Sequence, residues 1–316
     1  LDKNLDNFDI PDHAVIHEEE EGHEGEEEEE KTFLSNSDSK LAASRAGISR
    51  TGDWGYYGIS FINSDQLNGV PFHGEEHGEE EGGEHKEERI FATTNSSVIN
   101  IEGEQLLDGP INGITYFVRE TDSVLTEQHA EEEGHHEEEE GHEEEGPTTF
   151  TNNAEEVQLI LDISNETNEQ KVVFNHADQE SSVIGSEAFM QPTDSTETTI
   201  GYYLGTSLNE IDVDFGIRFD EINRKGSIKP ATGNAVAHDL DFDGLSYSAS
   251  FGTNLTDNVS AVLGLSAVER APSPTELFMN GKHLVIQRYE IGSVALETEE
   301  SQNIDLQFNF DFDGFE

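Results

Sequence analysis

Residues 211–220 read IDVDFGIRFD, and this stretch decides the fold. Ile211, Val213, Phe215, Ile217 and Phe219 alternate with Asp212, Asp214, Gly216, Arg218 and Asp220. Successive side chains of a β-strand point to opposite faces, so this alternation makes one face apolar and the other charged. A helix, with its period of 3.6, would scatter both classes around its surface. The pattern recurs. Ile304, Leu306, Phe308, Phe310 and Phe312 are interleaved with Asp305, Gln307, Asn309, Asp311 and Asp313. Leu245, Tyr247, Ala249 and Phe251 alternate with serines and a glycine, and Val259, Ala261, Leu263, Leu265 and Ala267 form a fourth set. The helical period is nearly absent.

Two architectures use such strands. In a soluble sandwich the apolar face packs on a second sheet; in a membrane barrel it faces lipid, and the polar face lines a wet interior. Acids on the inner face of nearly every strand favour the barrel, and strands of about ten residues suit a tilted crossing. The connections agree. Short turns fall at Arg50–Asp53, Asn165–Glu169, Leu208–Glu210 and Asn254–Asp257, with a medium one at Glu102–Gly113. Long polar loops fall at Asp9–Asn36, Gln66–Arg89, Thr126–Thr148, Asp178–Thr196, Asn223–Asp243 and Glu269–Ser301. They alternate along the chain, as in bacterial barrels whose long loops lie outside the cell. The expected fold is all-β: an antiparallel transmembrane β-barrel, partial at about twelve strands, with long extracellular loops.

Composition narrows the partners. There are 16 Lys and Arg against 70 Asp and Glu, a formal charge of -54. Nucleic acid and anionic membrane surfaces demand basic patches, so neither is an expected partner. Cations are. The chain has no cysteine, which removes thiolate metal sites. No run of 18 apolar residues is present, so no transmembrane helix is expected. The chain begins at Leu1 inside a strand or loop and reads as a fragment without a signal peptide.

The charge is concentrated. Glu18–Glu30 holds ten acids, Glu75–Glu88 eight and Glu131–Glu145 ten. His13, His17, His23, His73, His77, His85, His129, His135, His136 and His142 lie in or beside these runs. Following the chain down and up from one strand to the next puts all three runs on one side of the barrel. Neutral imidazole and carboxylate are good zinc ligands, and many weak, exchanging sites suit capture and hand-over. A solvated acidic loop is the plain alternative, because like-charge runs are usually solvated. The imidazoles favour metal, since solvation needs none of them. Carboxylates alone would favour calcium or magnesium, and imidazole also takes copper and nickel.

His283, with Glu276 and Glu290 near it in sequence, is a further candidate ligand or else a loop-packing histidine. His176 and His238 have no metal-ligand spacing. Trp54, Tyr56, Tyr57, Tyr202, Tyr203 and Tyr247 fit an interfacial girdle or plain β-propensity. No HExxH, GxSxG, P-loop or strand-linked GxGxxG occurs, so no enzyme is expected.

The segment 269–304, ERAPSPTELFMNGKHLVIQRYEIGSVALETEESQNI, closely resembles a late extracellular loop and strand of TonB-dependent receptors, most of all their zinc-uptake (ZnuD-type) branch. FDIP at 8–11, the acidic run and NSDSK at 36–40 resemble the same branch in order. So do residues 52–71, residues 128–151 and IGSEAFMQP at 184–192. The resemblance implies a Gram-negative outer-membrane location and Zn²⁺ as cargo, with His283 in the family's NGxHL position. It also implies partnership with lipid and, through a plug domain not present in this chain, with the TonB complex. Receptors of this family have 22 strands, so the twelve here read as part of one barrel, a single domain over residues 1–316. Lys282 replaces the usual proline of NGPHL, which bears on loop shape or metal affinity. Two other readings stand beside zinc uptake. One is a receptor for a siderophore or other metal complex. The other is a soluble or surface-anchored β-rich metal buffer, which would stay in water without detergent.

Overall fold

The computed structural model describes residues 1–11, 32–71, 89–129, 146–185, 188–230, 233–283 and 288–311. In chain order the elements are β1 (Asp2–Leu5), β2 (Phe8–Asp9), β3 (Phe33–Leu34), β4 (Ser39–Gly52), β5 (Gly55–Gly69), β6 (Ile90–Leu106), β7 (Gly113–His129) and β8 (Thr148–Asp162). They continue with β9 (Asn168–Ile184), β10 (Thr193–Leu208), β11 (Ile211–Ile228), β12 (Val236–Thr256), β13 (Val259–Arg270), α1 (Pro274–Phe278), β14 (Asn280–His283), β15 (Arg288–Ile291) and β16 (Glu299–Phe310).

Twelve strands make one antiparallel sheet in the order β1-β4-β5-β6-β7-β8-β9-β10-β11-β12-β13-β16. Two small hairpins, β2 with β3 and β14 with β15, stand apart from it. Apart from the excursions that contain these hairpins, each strand pairs with its neighbour in sequence. That is the up-and-down order of membrane barrels. The twelve-strand expectation holds.

Register shows what the two faces are. Leu245, Phe219, Ile200, Phe174, Leu159 and Tyr116 are successive partners across β12 to β7. Tyr247, Ile217, Tyr202, Val172, Leu161 and Ile114 form the parallel row next to them. Nothing among the described residues covers this band: Phe215, Ile217 and Phe219 are 37%, 40% and 42% exposed, and Ile304 is 78% exposed. A contiguous apolar surface of this extent is tolerable facing lipid and not facing water. The sandwich is excluded, because no second sheet packs on it.

Nearer the long loops the same face turns acidic. Beyond the apolar band it presents Asp243, Asp241 and Asp239 on β12, Glu221 on β11, Asp178 and Glu180 on β9, Glu155 on β8 and Glu120 on β7. The boundary does not follow one hydrogen-bonded row. It lies above Phe174 on β9, two residue pairs higher above Val157 on β8, and two higher again above Ile99 on β6. Strands tilted to the membrane normal cross a flat boundary in such steps.

The strands therefore outrun the membrane, and this corrects two expected loops. Residues 178–196 and 223–243 are mostly strand: β9 runs to Ile184 before β10 begins at Thr193, and β11 runs to Ile228 before β12 begins at Val236. The outward face is polar there and the apolar residues, Val183, Ile228, Leu240 and Phe242, sit on the inner face instead, so the lipid-facing alternation stops, yet the ladders continue. Asn223 donates to Asp239 and Asp241 at 2.7 Å each, and Thr196 donates to Asp178 at 2.7 Å. Such cross-strand pairs support the sheet on the outward face where no apolar band does.

Connections at one end are short: 53–54, 107–112, 163–167, 209–210 and 257–258. Asn209 carries the positive φ of 60° that the two-residue link between β10 and β11 requires. At this end Trp54 stacks on Tyr57 at 5.5 Å, as in an interfacial girdle. Tyr56 and Tyr203, by contrast, lie on the polar face, so the aromatic set is not one girdle.

Candidate metal-capture face at the loop end

The opposite end carries the excursions between β1 and β4, β5 and β6, β7 and β8, β9 and β10, β11 and β12, and β13 and β16. The first three contain the His/Glu runs. His13, His17, His23, His73, His77, His85, His135, His136 and His142 lie outside the described residues. So do the acids of all three runs. His129 is the last residue of β7, paired with Ile90, and His283 ends β14, paired with Arg288; only their backbone positions are described. Among the described residues no three His, Asp or Glu side chains converge as a metal cage.

The stems of the runs are well defined. β2 and β3 pair, and Ile10 N donates to Thr32 O at 2.9 Å, so the first run leaves and returns at one point. Asn7 Oδ1 accepts from the amides of Ser37 and Asp38, and Phe8 N donates to Ser37 Oγ. The second stem is tied to the first. Arg89, just after the second run, donates Nη1 and Nη2 to the two carboxylate oxygens of Asp38, at 2.5 and 2.8 Å. Its Nη1 also reaches Asn36 Oδ1 at 3.1 Å. A bidentate guanidinium–carboxylate pair fixes orientation as well as distance. The Arg89 guanidinium holds the Asp38 carboxyl below the usual aspartate range, against a smaller opposing effect of burial. β6, at the end of the second run, pairs with β7, at the start of the third. The three stems thus stand on consecutive strand pairs, each pair two strand spacings, about 10 Å, from the next.

The other side of this end is built differently. Residues 271–283 and 288–298, between β13 and β16, fold onto the polar face of the sheet. Here the RAPSPTELF segment has a physical reading. Ser273 caps α1 and Glu276 returns the bond to the Ser273 amide, a full capping box, while Pro274 occupies the first turn. Arg270 grips Glu276 with two bonds of 3.0 Å and reaches Glu299 at 2.8 Å. Arg270, with the Ser273 bonds, pulls the Glu276 carboxyl down to about 2. Leu277 and Phe278 are 0% and 1% exposed. They join Val183, Phe189 and Met190 in the largest buried cluster, against Phe150, Ile228, Leu240 and Phe242 of the wall.

Backbone carries the rest. Asn280 N donates to Phe189 O, and Asn280 Nδ2 to Lys229 O, each at 2.8 Å, so the 185–192 connection and the later excursion form one unit. Arg224, 6% exposed, donates Nε to Pro272 O at 3.3 Å and pairs with Glu197. Gly226 has no side chain because a Cβ there would lie 2.5 Å from the Phe278 ring. His238 stacks on that ring at 6.4 Å, and His176 lies 3.2 Å from Asp178 on the outward face. Neither belongs to a metal cluster among the described residues. Arg224, Glu197 and Gly226 were not singled out from sequence; only the S-x-x-E spacing at 273–276 was a readable signal.

Residues 112–316 match the family model described as TonB dependent receptor-like, beta-barrel. This chain belongs to that family. The barrels of this family are Gram-negative outer-membrane proteins that serve transport rather than catalysis, which removes the soluble-buffer reading. The receptor chain also shares its fold with solved structures. The Serratia marcescens hemophore receptor HasR, solved as a double mutant with its hemophore HasA and heme, is 9% identical with a TM-score of 0.65, covering 89% of this chain and 43% of its own. The FrpB iron transporter of Neisseria meningitidis (F5-1 variant) is 12% identical with a TM-score of 0.65, covering 98% and 47%. The ferric yersiniabactin uptake receptor FyuA of Yersinia pestis is 12% identical with a TM-score of 0.50, covering 90% and 44%. The receptor chain spans less than half the length of each. None of the curated proteins matches it in sequence.

Proposed function

We propose that this receptor captures Zn²⁺ outside the cell with the imidazoles and carboxylates of its three His/Glu runs and delivers it into the barrel. Transport is energised by the TonB complex acting through a plug domain. The observation that carries this reading is the placement of the three stems on consecutive strand pairs at one end, the first two clasped by Arg89 and Asp38. Runs with ten of the chain's 13 histidines are thereby anchored side by side. The local acid concentration raises the cation concentration, and imidazole adds the preference for a borderline-soft metal. The residues proposed to bind are His13, His17, His23, His73, His77, His85, His129, His135, His136 and His142, with His283 as a further contributor from β14.

Equilibrium dialysis of the detergent-solubilised receptor against ZnCl₂ tests it. Alanine at the ten run histidines is expected to lower Zn²⁺ affinity at least tenfold while leaving thermal unfolding unchanged. Equal affinity in the two proteins would sink the metal-capture reading.

A second reading keeps the barrel and changes the cargo to a siderophore or another metal complex. The cargoes named for HasR and FyuA, a heme-bearing hemophore and ferric yersiniabactin, favour it. Growth of a receptor-deletion strain separates the two. A zinc receptor gives a defect under zinc starvation, and an iron-complex receptor gives one under iron starvation.

A further inference from the structure

Among the described residues of the loop end, the excursion between β13 and β16 carries the most deeply buried side chains, and that burial bears on how the receptor works. We propose that residues 271–283 and 288–298, with Phe189 and Met190, are a fixed part of the barrel wall that keeps its place as cargo enters. Arg224 and Gly226 are its positioning residues. The inference is independent of which cargo is carried.

Three observations converge on it. The first is burial: Leu277 and Phe278 are almost wholly enclosed, and their partners Phe150, Ile228, Leu240 and Phe242 come from three strands of the wall, β8, β11 and β12. Swinging the segment outward would put two large apolar side chains into water and uncover an apolar patch in a polar lumen.

The second is fit. The Phe278 ring occupies the space that Gly226 leaves in β11, and the Gly281 backbone runs so near Phe189 that a Cβ at 281 would lie 2.5 Å from its Cα. Contacts of this closeness hold in one arrangement and are lost in displaced ones.

The third is polar anchoring to groups that do not move with the segment. Arg224 and Lys229 belong to the wall or its immediate extension, and they bond to Pro272 and Asn280 respectively. Lifting the segment would leave a buried guanidinium facing Glu197 with one of its acceptors gone. A buried charge stripped of partners is costly. A gate would be expected to close on few and exposed contacts, the reverse of what is seen here.

Hydrogen exchange on the intact receptor in lipid nanodiscs tests this, alone and with ZnCl₂ or haemin added as probes. The amides of Leu277, Met279, Asn280, Gly292 and Ser293 all donate to backbone carbonyls. They are expected to exchange within tenfold of the β11 and β12 amides and to be unaffected by either probe. Exchange a hundredfold faster than the strands, or a change on adding either probe, would overturn the proposal. Arg224→Gln and Gly226→Ala are each expected to speed exchange at 277–280 at least tenfold while β9 and β10 keep their protection. A variant with unaltered exchange at 277–280 removes its residue from the positioning role. If a variant loosens β9 and β10 as well, the wild-type measurement still decides whether the segment is fixed.

Because the chain has no cysteine, a second arm is clean. Lys229→Cys with Asn280→Cys, joined by a short thiol-to-thiol crosslinker, is expected to leave uptake of radioactive Zn²⁺ and haemin-supported growth within twofold of the uncrosslinked double variant. A tenfold loss of either on crosslinking means that the segment must move.

Discussion

The two sides of the loop end solve one problem by opposite means. On the β4–β8 side the excursions are His/Glu runs with almost nothing to bury: residues 17–31 contain His, Glu, Gly and Lys alone. Their described stems are held by polar contacts, the Arg89–Asp38 clasp and the Asn7 and Ser37 bonds. On the β9–β16 side the excursions carry Phe189, Met190, Leu277 and Phe278, and these fold onto the wall. The difference follows from composition. Burying a segment against a barrel wall is driven by the apolar area it removes from water, and the 271–283 segment has that area in Leu277 and Phe278. One side is suited to presenting ligands, the other to shaping the mouth.

Removing that apolar area should erase the contrast. Phe278→Ala deletes a ring that is 1% exposed and leaves a cavity over Gly226. The expected cost to the folded segment is about 3–5 kcal/mol. Limited proteolysis should then cut within 271–298 while β9 and β10 stay intact. If the segment resists cleavage as before, the apolar cluster is not what holds it.

A second comparison runs along each strand, between the apolar band and the acidic extension above it. Phe215→Arg places a charge within the band and is expected to destabilise the barrel by about 2–4 kcal/mol in urea titrations in lipid vesicles. Asp241→Arg faces the same way, three residue pairs or more beyond the boundary, and should cost at most ~1 kcal/mol. Equal costs would mean that the membrane boundary has been misplaced.

These elements also show what a sequence discloses. Ile211–Phe219 announced its strand because one face meets lipid and the other water, so alternation is physically enforced. Past Asp220 the outward face of β11 is polar while its inner face is covered by the excursion between β13 and β16, so the lipid-facing alternation stops. Residues 223–228 and 236–243 therefore looked like loop although they continue the ladder. The His/Glu runs were legible as composition, and their common end followed from counting strands. The order of the opposite side was not legible. It joins Val183, Phe189, Gly226 and Phe278, which lie far apart in the chain, and a lone glycine in a strand does not say what approaches it. Arg89 and Asp38 were equally silent, since their pairing depends on two strands arriving side by side.

Arg89→Ala would loosen the clasp between the first two stems without touching any proposed ligand. A partly exposed ion pair contributes roughly 0.2–1 kcal/mol, so the expected effect on Zn²⁺ affinity is about a two- to fivefold loss. Arg89→Lys should restore little of it, because an ammonium cannot bridge both oxygens of Asp38 as a guanidinium does. Dialysis against ZnCl₂ measures both. An unchanged affinity in Arg89→Ala would show that the runs bind independently of their spacing.

The smallest expected effect is one of pH, confined to the β9–β16 side. Glu276 is held down to about 2 by Arg270 and by the Ser273 bonds. A carboxylate whose folded value lies below its unfolded value stabilises the fold fully at pH above the unfolded value. That contribution is lost as pH falls through the folded one. The capping of α1 should therefore be constant from neutral pH down to the ordinary glutamate range near 4.3, and fade between there and about 2. Because Arg270 and Glu276 are both substantially exposed, solvent screens the pair and the change is small. Amide exchange at Ser273 and Leu277, corrected for its intrinsic pH dependence, should rise in that window. Glu276→Gln should abolish the rise and show faster exchange at all pH values. A rise that persists in Glu276→Gln would assign the dependence to another carboxylate, with Glu299 the nearest along Arg270.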